Sequence, residues 1–254
     1  MTFDLVIVGG GLVGATLAAD LGQRGFRLGL VEARPAQAPV GNGFDLRVSA
    51  VTLASQQVLS SVGAWRHLPA ERIQPFREMV VWDVPQIGEV HFDSAEIGEP
   101  ALGAIVENAA LQRALETRLA ELDGVQIYRP AKLDTLSLEP ARAVMTVDGE
   151  ALRAPLVVGA DGSRSRVREL CGIEAKRAAY GQRAVVATVT VSRGHGETAW
   201  QRFLPTGPLA FLPLPGNYAS IVWSTTPAHA DALEHMGEAG FVAALEDAYE
   251  GRLG

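Results

Sequence analysis

The N-terminal segment alternates short apolar runs with a helical pattern. Residues 4–8 (DLVIV) form an apolar run typical of a strand that is buried on both faces. Glycines at positions 9–11 end that run, and residues 12–24 then carry Ala and Leu at helical spacing until Gly25. Residues 27–32 (RLGLVE) predict a second short strand. This order predicts one complete β-α-β unit with parallel strands.

The middle of the chain mixes helical and strand patterns. Residues 108–122 give the clearest helix, because Leu111, Leu115, Leu119 and Leu122 form one apolar stripe. Residues 47–67 also have apolar positions at helical spacing, so a helix is predicted there. Residues 34–43 are rich in Pro, Ala and Gly and predict a surface excursion. Strands are predicted at residues 78–92 (two strands around a turn at Pro85 and Gly88), 124–128, 143–147 and 152–159.

Strand patterns dominate after about residue 180. They cover residues 184–191, 201–204, 208–214 and 218–224, and a helical pattern returns only at 240–249. The pattern predicts an α/β protein in which a Rossmann-like nucleotide-binding domain is interleaved with a second, mostly antiparallel β-sheet domain. We expect residues 1–75 and 100–178 in the first domain, and residues 76–99 and 179–254 in the second.

Composition narrows the class of protein. The chain has 254 residues, a net charge of −7 and 48% hydrophobic residues, as expected for a globular protein. The acidic balance argues against nucleic acid as a partner, because binding phosphates needs clustered Lys and Arg. Cys171 is the single cysteine, so no internal disulfide forms and a cytoplasmic location is expected. The five histidines lack metal-ligand spacing, and no metal site is expected. The sequence shows no signal peptide and no apolar run long enough to span a bilayer, so membrane contact would be peripheral.

The first chemical motif is the glycine pattern Gly9-x-Gly11-x-x-Gly14 between strand and helix. The first glycine permits a tight turn, the second lets a pyrophosphate approach the backbone, and the third lets the helix pack closely on the strand. Leu12 and Val13 begin the helix, whose free N–H groups would face the phosphates. The alternative is a glycine-rich structural turn, which the ordered strand, helix and following acidic residue disfavour.

Glu32 ends the second predicted strand and supplies that acidic residue. A carboxylate at this position would accept hydrogen bonds from an adenosine ribose, and its charge would repel a 2′-phosphate. The site therefore suits FAD or NAD rather than NADP. Ala33 and Arg34 follow Glu32 and are predicted to line the same site.

A second motif, VVGADGSRSRVR, covers residues 157–168. A strand leads into Asp161 and Gly162, which places a carboxylate on a turn beside the predicted cleft. An equally weighted alternative is that Asp161 caps the following helix.

Together, the glycine pattern, Glu32, the segment DLRVSA around Arg47 and the stretch DGSRSRVR resemble the flavoprotein hydroxylases of the para-hydroxybenzoate hydroxylase family. The resemblance implies that FAD is the cofactor and that Asp161 and Gly162 serve the flavin. It also implies that Arg47 lies near the FAD phosphates and ribityl chain. Asn108 stands where the family often places a Gln or Arg facing the ribityl chain.

Four further segments are similar to the ubiquinone-biosynthesis branch of that family, the 2-polyprenylphenol hydroxylases: VWDVPQIGEVHFD, LGAIVEN, PTGPLAFLPLP and SIVWS. The similarity implies hydroxylation of the ring of a polyprenylated phenol with NAD(P)H and O₂, through a flavin C4a-hydroperoxide. It names no catalytic residue, and it leaves open an association with a membrane surface or a ubiquinone-biosynthesis complex. The second sheet would form an apolar wall over the flavin, with core packing as the favoured alternative for each of its candidates: Phe203, Leu204, Leu209, Phe211 and Trp223.

The resemblance also implies that the chain stops before its domain is complete, because no second Gly-Asp segment follows residue 180. We therefore expect weak or absent FAD binding and no activity in the chain alone. Two alternatives stay open: another flavoprotein oxidoreductase of the same fold, such as a halogenase or a geranylgeranyl reductase, and a degenerate flavoprotein that acts as a scaffold. The isolated tryptophans argue against a halogenase, which usually carries Trp-x-Trp-x-Ile.

Overall fold

A computed structural model describes residues 1–36, 41, 43–84 and 88–254. Part of the predicted excursion at 34–43 and the predicted turn residue Pro85 lie outside the described residues. The chain forms two compact units. The first comprises Met1–Val40, Gln57–Leu68 and Asn108–Arg177, and the second comprises Gly41–Gln56, Pro69–Glu107 and Ala178–Gly254.

The first unit combines helices and strands, and strands predominate in the second. The strands are β1 (Leu5–Val8), β2 (Leu28–Val31), β3 (Val48–Thr52), β4 (Ile73–Phe76), β5 (Glu78–Asp83), β6 (Glu89–Asp93), β7 (Gly103–Glu107), β8 (Val125–Tyr128), β9 (Leu133–Glu139), β10 (Arg142–Val147), β11 (Glu150–Ala154), β12 (Leu156–Gly159), β13 (Arg183–Thr190), β14 (Thr198–Leu204), β15 (Gly207–Leu214) and β16 (Tyr218–Thr225). The helices are α1 (Leu12–Gln23), α2 (Leu53–Ser61), α3 (Asn108–Ala120), α4 (Arg166–Leu170), α5 (Pro227–His235) and α6 (Gly237–Tyr249).

A parallel sheet in the order β12-β1-β2-β8 forms the centre of the first unit. Leu5 and Ile7 of β1 pack on one face against α1 and α3, while Val6 and Val8 pack on the other face against the antiparallel sheet β11-β10-β9. Apolar side chains on both faces explain why β1 and β2 are uninterrupted apolar runs. Leu111, Leu115 and Leu119 of the predicted stripe are buried in α3, whereas Leu122 lies past the end of the helix and is partly exposed.

A six-stranded sheet in the order β13-β16-β15-β14-β5-β6 dominates the second unit. Its pairings are antiparallel except for β14 with β5, which run parallel. Helices α5 and α6 cover one face, where Trp82, Trp223 and Tyr249 form the centre of a core. The small antiparallel sheet β3-β7-β4 belongs to the same unit.

The predicted helix at residues 47–67 is wrong in its first part. Val48–Thr52 forms β3, which pairs antiparallel with β7, and the helix α2 begins only at Leu53. The β-branched residues Val48, Val51 and Thr52 favour a strand once a partner is available, and that partner lies far along the chain. Strands β4, β7 and β9 and helix α5 were also not predicted from the sequence.

Candidate functional site

The turn between β1 and α1 is built so closely that two of its glycines cannot carry a side chain. Gly9 has φ +105°, and a Cβ there would lie 2.4 Å from the carbonyl oxygen of Ala160. A Cβ on Gly14 would lie 1.9 Å from the carbonyl oxygen of Gly9. The close approach of Gly9 to Ala160 brings the glycine motif and the start of the Asp161 motif together in the first unit.

Helix α1 begins at this turn without a side-chain cap. Gly11 is its N-cap residue and has no side chain that could accept a hydrogen bond from the first turn. The first intrahelical hydrogen bond runs from the N–H of Ala15 to the carbonyl of Gly11. The helix therefore offers no carbonyl to the three N–H groups before it, those of Leu12, Val13 and Gly14. Val13 is 77% exposed, although it is apolar. These features leave oriented N–H groups and the positive end of a helix dipole open to an anion.

Glu32 lies at the end of β2 and points its carboxylate at the glycine turn. The N–H of Gly10 donates to Oε2 at 2.7 Å, and the N–H and Nε of Arg34 donate to Oε1 at 2.8 and 3.1 Å. Burial disfavours the charged form, but the hydrogen bonds from Arg34 and Gly10 outweigh it, so the net pKa of Glu32 is lowered. Ala33 lies between them and is exposed. A charged carboxylate beside the turn has the chemistry needed to accept ribose hydroxyl hydrogens.

A group of polar side chains next to Gly10 was missed from the sequence. Nε2 of Gln112 on α3 donates to the Gly10 carbonyl at 2.8 Å and contacts Oε1 of Glu116 at 3.2 Å. Nη1 of Arg129, just after β8, forms an ion pair with Oε1 of Glu116 at 2.6 Å. The available signal was the spacing of Asn108, Gln112 and Glu116, which recur every four residues along one side of α3.

Asp161 uses its carboxylate within its own segment. Oδ2 accepts from the N–H groups of Arg166 and Val167 at 2.6 and 3.1 Å, and Oδ1 accepts from the hydroxyl of Ser165 at 2.5 Å. Ser165 in turn caps α4 by accepting from the N–H of Arg168. The side chain of Asp161 therefore stabilises the start of α4, as in the capping alternative. Its backbone adjoins the glycine turn, and Gly162 follows with φ +77°.

The two remaining predicted residues belong to different units. Asn108 is the first residue of α3 in the first unit, one helical turn before Gln112. Arg47 belongs to the second unit, where it is exposed and directly precedes β3. Their predicted roles beside the flavin stay predictions.

Most of the predicted apolar wall is core. Leu209, Phe211 and Trp223 are buried in the core beneath α5 and α6, and Leu204 packs against it. Phe203 differs, because its neighbours in register are Asp83 and Pro208 on the other face of the sheet, where it is 46% exposed. Alternation along β14 explains why adjacent residues differ in environment.

The turn, the open helix terminus and Glu32 together fit one end of a dinucleotide. The turn has glycine at positions 9–11, where a diphosphate could approach the backbone, and the charged Glu32 carboxylate beside it suits ribose hydroxyls rather than a phosphate. Within the described residues, three or more His, Cys, Asp or Glu side chains nowhere come together as a metal site would require. The described helices include none with the length and apolarity needed to cross a bilayer.

Comparisons with known proteins agree with this geometry. A family model described as an FAD binding domain matches residues 2–248. The 3-demethoxyubiquinol 3-hydroxylase of Escherichia coli is 38% identical over 253 residues, covering 99% of this chain and 64% of that protein. The ubiquinone hydroxylase UbiL of Rhodospirillum rubrum is 40% identical over 253 residues, covering 99% of this chain and 58% of that protein. The chain thus spans only part of the length of these relatives.

A solved structure of a mutant of PqsL from P. aeruginosa matches with a TM-score of 0.78. The match has 22% identity and covers 92% of this chain and 63% of that one, so it supports the fold alone. These findings confirm the predicted fold class and the predicted resemblance to the ubiquinone-biosynthesis hydroxylases.

Proposed function

The chain belongs to the FAD-binding domain family, and on that premise we propose that it binds FAD and serves a monooxygenase of ubiquinone biosynthesis. The proposed reaction hydroxylates the aromatic ring of a polyprenylated phenol with NAD(P)H and O₂. The observation that carries the proposal is the uncapped glycine turn with the Glu32 carboxylate beside it.

Each half of the proposed adenosine diphosphate site has its own residues. The N–H groups of Leu12, Val13 and Gly14 would donate to the diphosphate. Glu32 would accept from the adenosine ribose, and the nearby Arg34, whose side chain is largely exposed, would hold that carboxylate in place. Arg47, Asn108 and the Asp161–Gly162 segment are the proposed flavin-side groups, and they rest on the family resemblance.

FAD, when bound, supplies the redox chemistry that activates O₂ for ring hydroxylation. The chain's own residues would bind and orient the cofactor and exclude water from it. We assign no acid–base residue. The similarity to ubiquinone hydroxylases supports the phenolic substrate. NAD(P)H as the electron donor and residues 76–99 and 179–254 as the substrate side rest on the family resemblance. An association with a membrane surface or a biosynthetic complex would suit an apolar prenyl tail.

Titration with FAD tests the binding part of this proposal. We expect the purified 254-residue chain to carry little or no flavin, and added FAD to bind saturably but weakly, with quenching of flavin fluorescence. Glu32→Arg should weaken binding at least about tenfold, because it replaces a hydrogen-bond acceptor with a cation. The exposed Glu139→Arg on β9 is the matched control, with unchanged affinity.

Two results would contradict the proposal. One is the absence of saturable binding by the unsubstituted chain at millimolar FAD. The other is equal affinity of the Glu32→Arg and unsubstituted chains, with both shown to be folded by circular dichroism.

A further inference from the structure

The peptide groups on either side of Gly10 are held by side chains from two different elements. The N–H of Gly10 donates to Oε2 of Glu32 at 2.7 Å, at the end of β2. The carbonyl of Gly10 accepts from Nε2 of Gln112 at 2.8 Å, from α3. The glycine motif itself assigns no role to Gly10 or to Gln112.

The bond from Gln112 also orients the next N–H group of the turn. The Gly10 carbonyl and the Gly11 N–H belong to one planar trans peptide, in which the two bonds point in opposite directions. Holding the carbonyl toward Gln112 therefore directs the Gly11 N–H away from Gln112. Because glycine lies on both sides of this peptide, the backbone itself offers little resistance to rotation. A rotated peptide would present a carbonyl oxygen, which repels an anion.

The orientation of the Gln112 amide is in turn set by charge. Its Nε2 lies 3.2 Å from Oε1 of Glu116, one helical turn later, so the nitrogen and not the oxygen of the amide faces both acceptors. Glu116 is held by Arg129, whose Nη1 lies 2.6 Å from the same oxygen and whose side chain is 11% exposed. Nη2 of Arg129 reaches to 3.4 Å from where a Cβ of Gly10 would stand. Three side chains thus fix one peptide.

We propose that Gln112 is a positioning residue for the diphosphate turn, and that Glu116 and Arg129 hold its amide in the donating orientation. This inference rests on the proposed function, because it assigns the fixed peptide to the diphosphate of FAD. Gln112 acts by keeping the Gly11 N–H turned away from Gln112 before the anion arrives, which lowers the cost of binding.

The test compares Gln112→Leu with Gln23→Leu. Gln23 lies at the other end of α1 and also donates to a backbone carbonyl, that of Ser61 at 3.2 Å, so its variant removes a similar bond away from the turn. Dissociation constants are measured by calorimetry for FAD, ADP and adenosine. We expect Gln112→Leu to weaken FAD and ADP binding about tenfold and to leave adenosine binding within about twofold. Gln23→Leu should change none of the three.

Each other outcome has a definite meaning. Unchanged ADP affinity in Gln112→Leu overturns the inference, and so does an equal loss for ADP and adenosine, which indicates a general structural role. If the unsubstituted protein binds neither FAD nor ADP, the proposed function fails and this inference fails with it. If the unsubstituted protein binds FAD and ADP and the Gln112→Leu variant binds them equally well, this inference is wrong and the proposed function is not affected.

Gln112→Glu supplies a second measurement that does not depend on the leucine variant folding. A charged carboxylate at this position cannot donate to Gly10, whereas a protonated one can. The adjacent Glu116 carboxylate disfavours ionisation of the introduced carboxyl, and the Arg129 guanidinium favours it, so the two effects oppose each other. ADP affinity relative to the unsubstituted protein should therefore be low at about pH 8, where a glutamate is charged, and recover as the pH falls toward about 4, where it becomes protonated. A ratio that stays flat with pH overturns the inference.

Discussion

The Glu32 side chain both stabilises the glycine turn and places a negative charge beside it. Its carboxylate is buried, yet it accepts three hydrogen bonds from Gly10 and Arg34, and one of these closes the glycine turn onto the end of β2. Those bonds lower its pKa below the ordinary value of 4.5 despite burial. The residue thus stays charged at neutral pH, which suits the ribose role proposed for it.

The lowered pKa makes a pH-dependent contribution to stability. A carboxyl whose folded-state pKa lies below its unfolded value stabilises the fold above the unfolded pKa and loses that contribution as pH falls through the folded pKa. Glu32→Gln should therefore be destabilising at pH 7, and the gap to the unsubstituted protein should close as the pH falls below about 4.5. Urea unfolding at a series of pH values measures this. A gap that is constant with pH would show that the charge of Glu32 does not matter for stability.

Between elements, the buried ion pair of Arg72 and Glu107 links three segments of the second unit. Glu107 ends β7 and is 1% exposed, and Nη1 of Arg72, just before β4, lies 2.9 Å from its Oε2. The N–H of Asp45 donates to Glu107 at 2.5 Å, and Arg72 donates to the carbonyls of Gly41 and Gly43. The pair therefore ties the segment that leads to Arg47 onto the β3-β7-β4 sheet.

Removing one partner of this pair should be costly. Arg72→Leu leaves a buried carboxylate without its cation, and we expect a loss of about 3 kcal/mol in the free energy of unfolding. The matched control is Arg77→Leu, which breaks the pair of Arg77 with Glu197 in the same unit. Both of those side chains are well exposed and screened by solvent, so the expected loss is below about 1 kcal/mol. Equal losses of unfolding free energy in the two variants would mean that the burial of Glu107 does not increase the cost of removing its partner.

At the scale of the whole protein, the proposed activity predicts a specific metabolic defect. A strain that lacks the gene should accumulate a polyprenylated phenol missing one ring hydroxyl, because the step proposed to consume that phenol is lost. Mass spectrometry of lipid extracts measures the intermediate, and supplying the gene in trans should remove it. Normal ubiquinone levels in the deletion strain, with no accumulated phenol, would contradict the monooxygenase proposal while leaving FAD binding untouched.

The sequence by itself determined the elements whose causes are local. The apolar runs of β1 and β2, the glycines between them and the leucine stripe of α3 each specify their structure within one short window. The need for glycine at positions 9 and 14 follows from the motif, because the backbone approaches each of them too closely for a side chain. The position of Glu32 follows from the end of β2, while the roles of these residues toward FAD stay predictions.

Tertiary structure alone decided what depends on residues far apart in the chain. Val48–Thr52 is a strand because β7 lies beside it, and Asp161 turns its carboxylate to α4. Gln112 and Arg129 meet at Gly10 only once β8 has joined the parallel sheet and α3 has packed against it. Such contacts form after long loops have closed, and their energy comes from pairing and burial that no local window of sequence contains.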